Sequence, residues 1–148
     1  MSREKRLQPV LKLAQGKVDE AARALGYLNS KIAAEQATQG QLKVYESEYL
    51  QLMRGGDEPG RKMDVHAVMR YQLFVQRLEA AQIQQSEQIK LLEEQKAQVT
   101  EHWIKTQARA KAISSVMEAA RQDEAVMANR QEQKLFDEFN SQRASRRI

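Results

Sequence analysis

Apolar residues recur along most of this chain at alternating steps of three and four, the spacing of a seam on a helix paired with another helix. Stepping from Leu7 gives positions 11, 14, 18, 21, 25, 28, 32, 35, 39, 42, 46, 49 and 53, which are apolar or Tyr except at Glu35, Gln39 and Glu46. A second series starts at Val68 and runs through Tyr71, Val75, Leu78, Ile89, Leu92, Val99, Trp103, Ala110, Ile113, Met117 and Ala120 to Met127, with polar residues at Gln82, Gln85, Lys96, Thr106 and Glu124. A repeat held near seven residues for this distance, with charges beside it, specifies a left-handed supercoil. Between the two series lies Arg54-Gly55-Gly56-Asp57-Glu58-Pro59-Gly60, whose glycines and proline cannot continue a helix. The pattern predicts an all-α fold, a long two-helix antiparallel coiled coil, as a single domain over 1–148. Its parts are helices over about 7–53 and 62–141, a turn at 54–61 and a basic tail at 142–148.

If the hairpin closes on the glycine turn, facing residues have numbers summing to about 117, because both helices rise equally per residue. Tyr49 then faces Val68, Leu42 faces Val75, Leu28 faces Ile89 and Leu25 faces Leu92. Glu35 meets Gln82, and Ala14 meets Trp103. In this register Leu7 lies opposite Ala110, and the second helix overhangs by about thirty residues, roughly 45 Å. The overhang keeps apolar residues at Ile113, Met117, Val126, Met127, Leu135, Phe136 and Phe139, which fit a self-dimer or a folded-back tail as well as insertion into another protein.

Composition agrees with long helices and a thin core. The 148 residues include three Phe, one Trp and two Pro, and 30% are charged. The 24 basic and 20 acidic residues are mostly interspersed, as on a solvated helix surface. Basic excess collects at the two ends, with Arg3, Lys5, Arg6, Lys12 and Lys17 near the start and Arg143, Arg146 and Arg147 near the finish. These basic residues are sparse beside a basic zipper, so nucleic-acid binding is not expected. The N-terminus builds no continuous apolar run, so neither a leader nor a membrane span is expected, and the simplest location is the cytoplasm. Cysteine is absent, which excludes disulfides and thiolate metal sites. His66 and His102 stand far apart without ligand spacing, and no Walker-type phosphate loop is present. The reading is therefore a binding protein without catalysis, metal or cofactor.

Three blocks carry a resemblance: Val18-Asp19-Glu20-Ala21-Ala22-Arg23-Ala24-Leu25-Gly26, Tyr71-Gln72-Leu73-Phe74-Val75-Gln76-Arg77-Leu78-Glu79, and Asn129-Arg130-Gln131-Glu132-Gln133-Lys134-Leu135-Phe136-Asp137-Glu138-Phe139. In this order, and with the turn in the same place, the chain resembles FliJ, the coiled-coil component of the bacterial flagellar type III export apparatus. The resemblance implies a cytoplasmic stalk, peripheral at the inner face of the membrane at the flagellar base. It implies partners in the export ATPase hexamer, the cytoplasmic domain of the export gate and export chaperones, with the protein a monomer on its own. The overhang, with Arg143, Arg146 and Arg147, would be the end that enters the ATPase ring. The family's gate-contact patch falls on Leu42, Tyr45, Tyr49, Phe74, Leu78 and Ala81, while Thr38 and Gln85 depart from its pattern. Leu42, Tyr49 and Leu78 lie on the seam, whereas Tyr45, Phe74 and Ala81 lie off it. The alternatives are an injectisome stalk or a generic coiled-coil tether.

Overall fold

A computed structural model describes residues 2–54 and 65–146. It contains two α-helices, α1 (Arg3–Arg54) and α2 (Val65–Arg146), and no strand among the described residues. The turn expected at 54–61 falls, beyond Arg54, outside the described residues, as does Arg147. Ser2 caps α1: its hydroxyl accepts a hydrogen bond from the Lys5 amide at 3.2 Å, and its carbonyl accepts one from the Arg6 amide at 3.1 Å. That capping carries the helix four residues upstream of Leu7 and through Pro9, which lacks only the one amide donor to the turn before it. At the other end α2 continues past Ser141 to Arg146, with Arg143 and Arg146 in a last turn where cations complement the helix dipole.

The seam organises burial. Between Leu7 and Met53, the residues that are buried or half-buried are the fourteen predicted seam positions and no others. On α2 from Val68 to Glu124 every predicted seam position is likewise shielded, joined only by Ala81 and Thr100 off the seam.

The helices form two compact units, one of residues 22–101 and one of residues 1–21 with 102–148. In the former, Leu28 and Ile32 of α1 pack with Leu92 of α2, and Val99 leans on this cluster. Burial of each such aliphatic side chain contributes about 1.5–3 kcal/mol, so a core this thin depends on its repetition along the seam. Toward the loop, Tyr49 stacks on Tyr71 with ring centres 5.3 Å apart and meets Phe74 at 4.4 Å. Between cluster and rings lies a polar layer. Gln85 donates through Nε2 to both the carbonyl and the carboxylate of Glu35, Gln82 donates to Glu46 Oε2 at 2.6 Å, and Gln39 donates to Ser86 Oγ at 3.1 Å.

These contacts correct the expected register. Tyr49 meets Tyr71 instead of Val68, Glu35 meets Gln85 instead of Gln82, and Leu28 packs with Leu92 instead of Ile89. Each α2 partner sits three residues, one seam step, further along. A step of that size moves one apolar slot onto the next, so the apolar pattern cannot detect it. The polar partners and the rings can.

In the other unit the buried residues are small: Ala14 and Ala21 on α1, Thr106 and Ala120 on α2. Small side chains at the seam permit close approach of two helices, and the Thr106 hydroxyl is satisfied by donating to the Trp103 carbonyl at 2.9 Å. Trp103 itself is half-buried. The expected start of the overhang is also corrected. Ile113 and Met117 are half-buried and Ala120 is buried, and α1 begins four residues before Leu7.

Candidate functional sites

Two surfaces hold the residues singled out from the sequence. The first is α2 beyond Glu124, where every described residue from Ala125 to Arg146 is exposed. Val126, Met127, Leu135, Phe136 and Phe139 are 48–67% exposed there, whereas Ile113 and Met117 belong to the paired seam. Continuing the seam beyond Met127 gives Gln131, Lys134 and Glu138, all polar. Leu135 and Phe139 instead sit one residue later, four apart, and Phe136 lies about 60° around the helix from Phe139. The three form one apolar face spanning about 100° that has rotated away from the seam. A straight helix drifts by about 20° per heptad against a seven-residue repeat, which covers only part of this one-residue, roughly 100° displacement. Periodicity read in fixed steps of three and four misses it, although the aromatic content of the segment flags it. Arg143 and Arg146 are exposed beside it.

The second surface lies in the unit of residues 22–101, where all six patch residues occur. Leu78 is buried at 8% exposure, and Leu42, Tyr49 and Ala81 are half-buried. Tyr45 is 54% exposed and Phe74 is 41% exposed. Phe74, off the seam by counting, nonetheless packs within the hairpin: its ring lies against Tyr49, tilted by 42°. Phe74 thus has one face in the fold and one face outward, braced by the stack that Tyr49 makes with Tyr71. Tyr45, one helical turn before Tyr49, stands on the same stretch of α1 with its ring open to solvent. Two rings exposed in this way can be desolvated by a partner at little conformational cost, as aromatic anchors of interfaces commonly are.

The two departures from the family pattern have local roles. Gln85 is spent on Glu35, holding the register, and the Thr38 hydroxyl donates to the Ala34 carbonyl at 3.2 Å. No described helix is long and apolar enough to cross a membrane. Among the described residues no group of three or more His, Asp or Glu side chains is arranged to hold a metal ion.

Compared with known families, the chain matches the family model described as flagellar FliJ protein over residues 3–148. No curated protein and no solved structure matches it.

Proposed function

Because the chain belongs to the FliJ family and is therefore a flagellar export-apparatus protein, we propose that it is a stalk and adaptor of that apparatus. The C-terminal stretch of α2 enters the ring of the export ATPase and promotes its assembly and activity. The surface around Tyr45 and Phe74, with Leu42, Tyr49, Leu78 and Ala81 beneath and beside it, engages the cytoplasmic domain of the export gate. Export chaperones join the same assembly, peripheral to the inner face of the membrane. The observation that carries this reading is the exposed face of Leu135, Phe136 and Phe139, which lies beyond the buried and half-buried seam. Burying three such side chains in a partner offers about 1.5–3 kcal/mol each, and the adjacent arginines favour an acidic lining.

Truncation after Val126 tests it, with ATP hydrolysis by the export ATPase as the readout. Hydrolysis is stimulated by the full chain and falls to the unstimulated rate with the truncated one, whose helices remain folded by circular dichroism. Equal stimulation by both would remove the ring contact from this segment.

A further inference from the structure

The apolar face of the C-terminal stretch of α2 carries charge at its two ends, and the charges are opposite. At about 100° per residue, the arc that holds Leu135, Phe139 and Phe136 also holds Glu132 before them and Arg143 and Arg146 after them. All six are exposed. The other charged residues around the trio, Arg130, Lys134, Asp137 and Glu138, lie about 60° or more outside this arc. Glu132 and Arg143 are about 16 Å apart along the helix, beyond side-chain contact within one chain.

A face that is acidic, then apolar, then basic is its own complement when a second copy is turned end for end. The pairing closes about a two-fold axis level with Asp137 and Glu138, where facing residues have numbers summing to about 275. Phe136 then meets Phe139, and Glu132 meets Arg143, each contact made twice. Helical side chains lean toward their own N-terminus, which in this arrangement also brings Arg146 toward the same Glu132. No pattern of opposite charge has to be supplied by another protein.

We propose that the free chain pairs with a second copy of itself through this arc, as an antiparallel two-helix dimer over Glu132 to Arg146 that shelters Leu135, Phe136 and Phe139. The contact is one helix wide and about 20 Å long, well under the roughly 800 Å² per partner of a stable complex, so it is weak and reversible. It forms at high concentration and parts on dilution, which accommodates the monomer that the family resemblance implies. Its role rests on the ring-entry reading. The same side chains cannot be paired and inside the ATPase ring at once, so self-pairing holds the stalk in reserve until a ring competes for the face.

Sedimentation equilibrium of the full chain, with no ATPase present, tests the pairing separately from that role. The chain should be monomeric near about 1 µM and largely dimeric near about 100 µM. Phe136→Glu with Phe139→Glu should remove the dimer while circular dichroism shows unchanged helicity. Glu132→Arg, and separately Arg143→Glu with Arg146→Glu, should each weaken it about tenfold or more by bringing like charges together. Mixing those two variants should restore a dimer of one copy of each, because one arc is then wholly basic and the other wholly acidic. The recovery should shrink in salt. A chain that stays monomeric at about 100 µM, or a dimer indifferent to the charge exchanges, would overturn the proposal. So would a monomer that binds phosphatidylglycerol vesicles through Phe136 and Phe139, which would assign the face to a membrane. A monomeric chain whose truncation after Val126 still abolishes ATPase stimulation would sink the pairing and leave ring entry standing.

Discussion

Replacing Glu35, Glu46, Gln82 and Gln85 together by leucine should make the hairpin more stable and less certain of its register. In the native chain Gln85 serves the carbonyl and carboxylate of Glu35, and Gln82 serves Glu46. A hydrogen bond to a charged group is worth about 1.5–3 kcal/mol when buried, and these half-buried pairs fall toward the lower figure because water competes. Removing one partner leaves the other shielded and unsatisfied, so Gln85→Ala alone should cost about 1–2 kcal/mol. Four leucines leave no group unsatisfied and extend the apolar seam through the layer, which reverses the sign. They also remove most of what distinguishes the observed register from its neighbour one step away, a slide of about 4.5 Å, leaving the Tyr49–Tyr71 stack and the Gln39–Ser86 hydrogen bond.

Two assays separate these effects. Urea unfolding, at constant slope, gives the change in stability from the midpoint. Register is read by disulfide formation, which the cysteine-free sequence makes unambiguous: Leu28→Cys with Leu92→Cys reports the observed register, and Leu28→Cys with Ile89→Cys reports the neighbour. On the native background the first pair should oxidise readily and the second slowly. On the four-leucine background both should form. If the neighbouring pair stays slow without the polar layer, something else fixes the register and the reasoning fails.

Further expectations concern the rest of the fold. Gly26 and Gly40 lie inside α1, where a methyl group added at either would meet nothing within 4 Å, so alanine at both should raise the urea midpoint by an amount equivalent to about 1 kcal/mol per site. Ser2→Ala removes the cap of α1 and should cost about 1 kcal/mol by the same measurement. Phe74→Ala should destabilise the hairpin more than Tyr45→Ala does, because only the former loses a ring contact with Tyr49; equal effects would contradict that packing. Ala21, 4% exposed on the seam, should resist enlargement, with Ala21→Leu costing about 1–3 kcal/mol in unfolding.

What the sequence discloses about this fold depends on which physical signal each feature leaves. Helix type and seam membership are written in periodicity, which is why the shielded positions of α1 from Leu7 to Met53 coincide with those counted from the sequence. Register is not, since Leu28 is equally apolar opposite Ile89 or Leu92. The information lies in a few heterotypic pairs, such as Glu35 with Gln85, that become recognisable only when both sides are seen together. Phe74 shows the same limit, being off the seam by counting and yet against Tyr49, because rings reach further than aliphatic side chains. The start of α1 escaped for another reason. Ser2 caps the helix four residues before Leu7, and Pro9, in the second turn, removes one donor while the rest of the hydrogen-bond ladder stays intact.

A common rule connects the paired and unpaired parts of α2. Where α1 lies alongside, the apolar residues keep the seven-residue repeat that a supercoil imposes on both helices. Beyond Met127 they leave it, as Leu135 and Phe139 fall one residue late and Phe136 broadens the face. If the same partner surface continued there, the face would stay in phase with Gln131, Lys134 and Glu138. Its rotation implies a partner that meets a nearly straight helix from another direction and contacts a wider arc. Moving the Phe139 ring back into phase, with Phe139→Glu and Glu138→Phe together, should therefore weaken stimulation of the export ATPase while preserving composition, charge and helicity. Undiminished stimulation would show that the segment acts through hydrophobicity alone, regardless of which side of the helix carries it.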